Sequence, residues 1–538
     1  MAIVYQRNKK SGVVYVYESI SYWDKEKNQS RAKRKCIGKL DPTTSKVVPT
    51  RPRGAFHKVK MPSKTLDDTT RKGTEASCKF YGATYLFDAI GKKIGIIDDL
   101  KKCFPTTFKQ ILSIAYYLIL EDKNPLSRFP RWASTHKHPF NNQIASQRSS
   151  EIFASITDDA REHFFSLQGK RRVEKEYLAY DTTSISSYSE SLKQVKYGVN
   201  KEHDPLAQIN LALLFGEKSN LPFYYRKLAG NISDVKTVKN LLADVEYLGY
   251  KKIKLVLDRG FYSRENLDAL YKDHLKFLIA TKISLKFVQE ELGKIRNTMR
   301  SWPHYNQQYN LYVTSVPIAW EYSQKRPYKK DVLKEKRRMY LHFYFNSMRA
   351  TEEETNLNLR IYRLKQELES NQRKPEHEKQ YAKYFCIKNT PARGSKITVR
   401  QDVIDKTKEN YGYFALLSNE IKDPIKALEI YRNKDVIEKA FGNLKDRLGL
   451  RRFAVSSELS LDGKLFVEFI ALIFLSYLKK MIQDKKLHKN YTMQEVLDEL
   501  DVIQCFEQPN CKLRVGEVTK KQEKLFEQME VSSPNSLQ

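Results

Sequence analysis

Four residues whose side chains suit phosphate and metal binding recur at helical spacing late in the chain. They are Tyr431, Lys434, Glu438 and Lys445, at intervals of three, four and seven residues. Because a seven-residue step drifts by only about 20° around an α-helix, Tyr431, Glu438 and Lys445 are predicted to share one face. An acid among cations and an aromatic ring suits a site that holds a metal ion and grips a phosphate backbone. An amphipathic surface helix over residues 430–445 with ordinary charge pairs explains the spacing equally well.

Two further acids stand where predicted strands present them. Asp181 lies in a predicted strand at residues 176–184, and Asp258 directly follows the apolar run 253–257. Each has an ordinary interpretation as a strand-end or turn residue. Three carboxylates that met within a few ångströms would repel one another by about 1–4 kcal/mol per pair, and bound Mg²⁺ would reverse that penalty. Two such ions about 3.5–4 Å apart can activate a water or a DNA 3′-hydroxyl and stabilise the leaving oxygen.

The charge of the chain indicates a polyanionic partner. The 538 residues hold 96 Lys and Arg against 64 Asp and Glu, a formal net charge of +32. Such an excess favours nucleic acid or a membrane surface. No signal peptide is expected, because no basic segment with an apolar core opens the sequence given, and the apolar run 465–478 contains Glu468 and is too short to span a bilayer comfortably. Six scattered cysteines without a C-x-x-C pair indicate neither disulfides nor zinc.

The amino-terminal part is expected to form a basic β unit followed by helices. Residues 1–72 contain a β-rich stretch at 13–23 and a basic run at 31–35, which together predict a hairpin. That hairpin could lie along a DNA groove or be a solvated strand face. The proline- and cation-rich residues 50–64 predict a linker, with a minor-groove arm as the alternative. Residues 73–170 are predicted to be a helical DNA-binding domain, without an indication of which helix meets DNA.

The rest of the chain is expected to hold an α/β core with an insertion. Strands at 207–216, 222–230 and 276–283, and helices at 231–248 and from Ser263, complete the first part of a mixed α/β layer at 171–283. Residues 284–425 interrupt this rhythm, and their charged helical stretch at 351–384 predicts a solvated helical pair or a coiled-coil arm. Residues 426–484 hold the glutamate helix and a buried helix. Residues 485–538 form a carboxyl-terminal region, with a polar and partly disordered tail expected beyond Lys512.

The three acids in this order resemble the DDE transposases of bacterial insertion sequences. In particular, Tyr431, Glu438 and Lys445 match the spacing of the IS-four family signature of tyrosine, arginine, glutamate and lysine. Lys434 stands where that signature has arginine; it keeps the charge but lacks the planar fork for bidentate phosphate contact. The segments around Asp181 and Asp258 are similar to the two aspartate motifs of that family.

The resemblance implies a ribonuclease-H-like α/β catalytic core interrupted by an insertion domain, with the β-rich and helical amino-terminal regions binding DNA. It implies cut-and-paste transposition in which Asp181, Asp258 and Glu438 hold two Mg²⁺ ions, with Mn²⁺ as a substitute. Predicted DNA contacts are made by the following residues: Tyr431, Lys434, Lys445, Arg259, and Trp302 or Trp320 stacked on a flipped base.

The expected partners are terminal inverted repeats and target DNA, bound by a homodimer, in the bacterial cytoplasm at the nucleoid and not at a membrane. Two alternatives remain open from the sequence. The first is a metal-dependent endonuclease without strand transfer, and the second is a transposase-derived repressor that binds DNA without cutting it.

Overall fold

Apolar runs of the sequence become the strands and helices of two units, Met1–Thr74 and Glu75–Gln538, in the computed structural model. The structure describes residues 2–534 apart from these positions: 9–10, 25–28, 43, 50–75, 123, 173–175, 190–191, 251, 327–330, 391–393, 454, 456 and 509–510. The predicted linker at 50–64 therefore lies outside the described residues.

The first unit is an antiparallel sheet in the order β1-β2-β3-β4. Its strands are β1 Ala2–Arg7, β2 Val14–Asp24, β3 Gln29–Leu40 and β4 Val47–Val48. The strands β2 and β3 pair with each other, as the sequence predicted for the basic hairpin. A register shift between Val16 and Tyr17 marks a β-bulge, which strengthens the local twist of the pair.

The second unit begins with a short strand and a group of helices. These elements are β5 Ser77–Phe80, α1 Gly82–Lys93, α2 Ile96–Cys103, α3 Phe108–Leu120, α4 Phe129–Thr135, α5 Ser146–Ala154 and α6 Asp158–Arg172. The helical pattern predicted for 73–170 is confirmed as secondary structure. The apolar faces of these helices share one hydrophobic core with the strands that follow.

The predicted mixed α/β layer forms one end of a large sheet. It contains β6 Leu178–Ser187, β7 Gln208–Gly216, β8 Pro222–Ala229, α7 Asp234–Tyr247, β9 Lys254–Leu257, α8 Arg264–Lys272 and β10 Lys276–Thr281. The strand β7 is buried along its whole length, as its continuous apolar run predicts for a central strand. The antiparallel strands β8, β7 and β6 are followed across the sheet by β9 and β10, which run parallel to β6.

Residues 284–425 both extend this sheet and build a small separate core. Their elements are α9 Lys286–Met299, β11 Tyr305–Asn306, β12 Leu311–Arg326, β13 Asp331–Phe345, α10 Ser347–Glu369, α11 Glu378–Tyr384, β14 Phe385–Thr390, β15 Gly394–Val399, α12 Gln401–Lys408 and β16 Tyr413–Ser418. The sheet continues from β10 through β16, β13 and β12 to β11. The helices α10, α11 and α12 enclose a cluster that includes Leu364 and Tyr381. The charged stretch therefore forms a helical pair, as one of the two sequence alternatives stated.

The carboxyl-terminal part supplies the helix that fills the centre of the core. Its elements are α13 Pro424–Arg432, α14 Asp435–Gly442, a π-helical turn Asn443–Arg447, β17 Arg452–Phe453, α15 Glu458–Asp484, α16 Met493–Asp501, β18 Gln504–Glu507, β19 Arg514–Val515 and α17 Lys520–Gln528. The helix α15 contacts α3, α5 and β8, so it lies between the helical group and the sheet. Across the described residues, none of the helices has the length and apolar character needed to cross a bilayer.

The polar tail differs from its sequence prediction. Beyond Lys512 the chain forms β19 and α17, and only residues 535–538 lie outside the described part. Leu525, Phe526 and Met529 are buried, because their spacing places them on one helical face that meets the core. The expectation of disorder was based on average polarity, which three well-spaced apolar residues outweigh.

A carboxylate without a hydrogen-bond partner lies in the middle of α15. Glu468 is fully buried, neither of its oxygens has a hydrogen-bond partner among the described residues, and Lys464 Nζ is 3.6 Å from Oε1. Burial raises the pKa of Glu468 to about 8, against the opposing effect of the Lys464 charge. The folded protein therefore keeps a proton that the unfolded chain releases near its usual pKa of 4.5.

The raised pKa of Glu468 predicts that the folded protein loses stability as pH rises from about 4.5 to about 8. Because the pKa of Glu468 is higher in the folded than in the unfolded protein, the stability that protonated Glu468 contributes is fully present below about pH 4.5. This contribution is lost as pH rises towards about 8, by about 1.4 kcal/mol per pH unit. Glu468→Gln, which carries no titratable group, is expected to flatten that slope and raise the melting temperature near pH 8. Melting curves of both proteins across this range test it, and parallel curves would contradict it.

Candidate active site at the edge of the paired strands

Strand register brings Asp181 and Asp258 side by side. The strands β6 and β9 are parallel neighbours, and Tyr180 pairs with Leu257. Asp181 is the next residue of β6 and Asp258 directly follows the end of β9, and adjacent strands lie about 4.8 Å apart. Both acids thus lie at one position along the sheet, although 76 residues separate them.

The predicted glutamate helix is not one helix, which corrects the sequence interpretation of residues 430–445. The helix α13 ends at Arg432, α14 begins at Asp435, and a π-helical turn follows Gly442. Backbone hydrogen bonds between residues three apart, such as Lys434 N to Tyr431 O, tighten the chain at the break. At the break, the side-chain amide of Asn433 donates a hydrogen bond to the carboxylate of Glu217. The shared helical face predicted from seven-residue spacing is therefore interrupted on both sides of α14.

The break places the Lys434 ammonium between two of the acids. Lys434 Nζ lies 3.5 Å from Asp181 Oδ2 and 3.6 Å from Glu438 Oε1. Only 4% of the Lys434 side chain is exposed, whereas 63% of Glu438 is exposed. The ammonium is buried without a hydrogen-bond partner in the described part of the chain, so charge attraction to the carboxylates is its compensation. At the break, the Lys434 side chain is therefore directed towards the two acids and not towards the surface.

Tyr431 and the loop after β9 hold Asp258. The Tyr431 hydroxyl and the Arg259 amide each donate to Asp258 Oδ1 at 2.8 Å. Burial would raise the pKa of Asp258, but the Lys434 charge and these two hydrogen bonds outweigh burial and lower the pKa below its usual value. Asp258 is consequently kept ionised and ready to bind a cation. The burial and the Asp258 charge raise the pKa of the Tyr431 hydroxyl, so the hydroxyl remains a donor.

A second lysine beside Asp181 has no signal in the sequence. Lys201, from the loop between β6 and β7, places Nζ 3.7 Å from Asp181 Oδ1 and 3.2 Å from Asp234 Oδ2. It also donates to the backbone oxygen of Thr182 at 2.6 Å, and the Thr182 hydroxyl donates to Asp234. In the sequence, Asp234 is only the start of a helix and Lys201 only a loop residue. The contact of Lys201 with the acids depends on how the strands are ordered in the sheet, so residue spacing in the sequence could not predict it.

The remaining predicted DNA-binding residues divide into exposed and buried ones. Lys445 is buried and its Nζ lies 2.6 Å from Glu202 Oε1. Trp320 is in the core, and its indole donates to Asp268 at 3.1 Å. Trp302 is 80% exposed and stacks on a neighbouring tyrosine, and Arg259 is exposed.

The three acids fit a divalent metal in donor type but are not yet arranged around one. Three carboxylates supply the hard oxygen ligands that Mg²⁺ and Mn²⁺ take. Asp181 and Glu438 already share one cation, the Lys434 ammonium, which shows that this position attracts positive charge. Within the described ranges, no group of three or more acids, histidines or cysteines is close enough to hold a metal as it stands. For these acids to hold a metal ion together, Lys434 would have to leave its position and the exposed Glu438 side chain would have to turn inward.

Replacing Tyr431 by phenylalanine is expected to weaken metal binding on the acid side. The change removes a hydrogen bond that stabilises ionised Asp258, so the pKa of Asp258 rises. Protons and metal compete for the carboxylate, so the loss of Mn²⁺ affinity on acidification should begin at a higher pH in the variant than in the wild type. Mn²⁺ titrations across the acid range measure this shift. Tyr309→Phe, which removes a hydroxyl bonded to Glu429 instead, is the matched control, and equal profiles for the two variants would contradict the role of Tyr431.

One of the comparisons with known proteins identifies the family of this chain. The family model described as "Transposase DDE domain" matches residues 173–474, more than half of the chain. No curated protein matches the sequence. A solved structure of a piggyBac transposase synaptic complex with hairpin DNA aligns over 84% of this chain and 77% of that chain, at 11% identity and a TM-score of 0.32. The matched range contains Asp181, Asp258 and Glu438, and the chain belongs to the DDE transposase family.

Proposed function

We propose that this DDE transposase moves its element by cut-and-paste, through hydrolysis and strand transfer at the transposon ends. The observation that carries the proposal is the Lys434 ammonium, which is buried between Asp181 and Glu438, two acids that are distant in sequence. Asp181 and Asp258 follow paired residues of parallel strands, and Lys434 links Asp181 to Glu438. A surface helix with ordinary charge pairs would not bury Lys434 against a strand-borne aspartate.

The strand order supports a ribonuclease-H-like core. An antiparallel meander, β8-β7-β6, continues into two strands parallel to β6, and α7 and α8 lie on the crossovers. This order puts the first and fourth strands next to each other and so brings their acids together. The spacing of Tyr431, Glu438 and Lys445 supports membership of the IS-four group of bacterial elements.

The chemistry we propose uses two Mg²⁺ ions, or Mn²⁺ in their place, held by Asp181, Asp258 and Glu438. Bound there, the ions would activate the attacking oxygen and stabilise the leaving oxygen of the phosphodiester. Tyr431 keeps Asp258 ionised and fixes its orientation. Lys434 and Lys201 neutralise the acids until DNA and metal arrive, which prevents carboxylate repulsion from opening the site.

DNA contact in this proposal begins with the exposed members of the predicted set. Arg259 follows the catalytic Asp258 directly and is exposed, so its guanidinium can reach a phosphate. Trp302 has the exposure that stacking on a flipped base requires, as the family resemblance implies. Lys434, Lys445, Tyr431 and Trp320 would contact DNA only after giving up their present neighbours. We place the reaction in the cytoplasm, on a homodimer that joins two ends.

The experiment uses DNA that flanks the gene. Terminal inverted repeats from both sides, labelled at one strand, are incubated with the full chain, Mg²⁺ and a target plasmid. We expect Mg²⁺-dependent nicks at the repeat ends and joining of the cut ends to the plasmid. Cleavage without joining would overturn strand transfer in favour of an endonuclease. Specific binding with no cleavage in either metal would overturn catalysis in favour of a repressor.

A further inference from the structure

The loop between β6 and β7 ends in a short polar segment that reaches the catalytic acids. This segment, which we name the 200–204 tip, consists of Asn200, Lys201, Glu202, His203 and Asp204. Just before the tip the loop is fixed to the sheet, because a side chain at Gly198 would collide with the backbone oxygen of Gly230. Gln208 also donates to the Val199 backbone oxygen at 3.1 Å. The tip buries none of its own side chains, so polar contacts alone hold it in place.

The cation of the tip lies beside an acid that is expected to hold metal. Lys201 Nζ is 3.7 Å from Asp181 Oδ1 and 3.2 Å from Asp234 Oδ2. It donates to the backbone oxygen of Thr182 at 2.6 Å and to the Thr182 hydroxyl oxygen at 2.8 Å. At its other oxygen, Asp181 has a second cation, Lys434. A divalent ion on Asp181 would therefore be repelled by both ammonium groups until they moved away.

The two acids of the tip lie against cations from the carboxyl-terminal part of the chain. Glu202 Oε1 accepts a hydrogen bond from Nζ of the buried Lys445 at 2.6 Å. Asp204 Oδ2 lies 3.2 Å from a guanidinium nitrogen of Arg452, which is half exposed and also contacts Tyr188. Lysine and arginine bind phosphate oxygens with the same donors that they offer to carboxylates. The two carboxylates thus occupy places that phosphates of DNA could take.

We propose that the 200–204 tip fills the catalytic site of the free protein with groups that have the charges of its ligands, and that DNA displaces it. Lys201 takes a metal position, while Glu202 and Asp204 take two phosphate positions. Arg452 is thereby assigned as a phosphate contact, which was not among those predicted from the sequence. When phosphates replace the two carboxylates, the tip loses its anchors and the ammonium leaves the acids. The inference rests on the proposed function in taking DNA and metal as the ligands.

The two sides of the tip are coupled because neighbouring residues make the contacts. Lys201 and Glu202 are adjacent in the chain, so a movement that breaks one ion pair pulls on the other. Through this coupling, DNA binding strengthens metal binding, and metal binding strengthens DNA binding by the same factor. The metal site of the free protein is consequently weak, and it forms where DNA is already bound.

A purely structural role for these ion pairs makes the opposite prediction about metal affinity. If the tip stayed in place, the loss of two carboxylates near the site would make the local field more positive and weaken Mn²⁺ binding. If the tip is released instead, the Lys201 ammonium leaves Asp181 and Mn²⁺ binds more tightly. The sign of the change in affinity therefore separates the two roles.

The first measurement is the Mn²⁺ affinity of the full chain without DNA, by electron paramagnetic resonance titration. Glu202→Gln with Asp204→Asn should bind Mn²⁺ more tightly than the wild type, by on the order of tenfold. The matched control, Glu429→Gln with Asp435→Asn, removes the same charge from α13 and α14 and should bind Mn²⁺ no more tightly than the wild type. Unchanged or weaker Mn²⁺ binding in the tip variant would overturn the inference.

A second set of variants tests whether the two acids act through Lys201. Lys201→Met should itself bind Mn²⁺ more tightly, and adding the two acid changes to it should give no further gain. A further gain of the full size would overturn the inference, because the acids would then act without Lys201. Lys196→Met, at an exposed lysine earlier in the same loop, is the control and should resemble the wild type.

A measurement on variants that keep both acids covers the case in which the acid variant does not fold. A short duplex of arbitrary sequence should raise the Mn²⁺ affinity of the wild type more than that of Lys201→Met. Direct contacts between metal and phosphate contribute equally to both proteins, so the difference reports the release of the tip. Equal gains in the two proteins would overturn the inference.

DNA binding in EDTA tests the phosphate positions. The variant Glu202→Gln with Asp204→Asn should bind a labelled duplex more tightly than the control Glu429→Gln with Asp435→Asn, because its phosphates no longer compete with carboxylates. Arg452→Gln should lower the slope of log affinity against log salt by about 0.9, and Arg452→Lys should restore it. Equal affinities of the two acid variants, or an unchanged slope in Arg452→Gln, would overturn the inference.

The outcome is separable from that of the proposed function, which is tested by cleavage and joining. If the wild type cuts and joins DNA ends while the tip variant binds Mn²⁺ no more tightly, the inference fails and the proposed function stands. If Mn²⁺ and duplex binding respond as expected but no DNA is cut, the tip is confirmed as a displaceable occupant and the proposed function fails.

Discussion

Asp181→Asn, Asp258→Asn and Glu438→Gln are each expected to abolish cleavage at the transposon ends while leaving DNA binding intact. Each change removes a negative charge that would hold metal and keeps the shape of the side chain. Several kcal/mol of transition-state stabilisation depend on the metal, so the rate should fall by on the order of 10²–10⁴. Single-turnover cleavage and anisotropy binding on the same end DNA measure the two quantities.

The chain offers matched controls for these three variants. Asp435→Asn changes an exposed acid in the first turn of the same helix as Glu438, and Glu429→Gln changes an acid on α13 that contacts Tyr309. Both should cleave at close to the wild-type rate. If either control were as inactive as Glu438→Gln, loss of local charge would explain the result. If any one of the three acids could be changed without loss, that residue would leave the site.

Lys434→Ala is expected to destabilise the metal-free protein and to make it depend on metal for stability. Lys434 is buried against Asp181 and Glu438, and breaking a buried ion pair costs up to about 3–5 kcal/mol. A divalent ion no longer has to displace the ammonium, so Mn²⁺ should bind more tightly and raise the melting temperature more than in wild type. Thermal melts with and without Mn²⁺ show both effects.

Lys434→Arg separates two roles that the sequence left open. If arginine restored the fork of the family signature, cleavage would match or exceed that of the wild type. The buried ammonium lies between carboxylates and has no hydrogen-bond partner among the described residues, so the larger guanidinium should fit poorly and lower cleavage.

The control for the Lys434 variants is Lys439→Ala, at an exposed position of α14. Unchanged stability and metal response in Lys434→Ala would contradict the role of Lys434 as counter-ion.

The strands of the core were predictable because burial on both faces requires continuous apolar runs. The apolar run at residues 253–257 predicts β9, with Asp258 directly after it. Apolar runs of the same kind predict β7 and β10. The pairing of β6 with β9 joins strands that are separated in the chain by β7, β8 and the crossover helix α7, so it is a long-range contact. Local sequence could therefore identify each acid but not the register that joins them.

The surroundings of the acids were the less predictable part of the site. The break at Lys434 depends on contacts with Asp181 and Glu217, both more than 200 residues earlier in the chain. Lys201 reaches Asp181 from a loop that has no periodicity. Lys445 follows the predicted spacing, yet a π-helical turn directs it to Glu202. Spacing predicts which residues are neighbours on an ideal helix, and tertiary contacts decide whether the helix stays ideal.

Anomalous diffraction from crystals of the protein with end DNA and Mn²⁺ tests the central claim most directly. The account predicts Mn²⁺ peaks bound by the carboxylates of Asp181, Asp258 and Glu438, with Lys434 Nζ displaced from its place between Asp181 and Glu438. Mn²⁺ bound elsewhere on the chain, or bound at the aspartates while Glu438 remains turned to solvent with DNA in place, would contradict it.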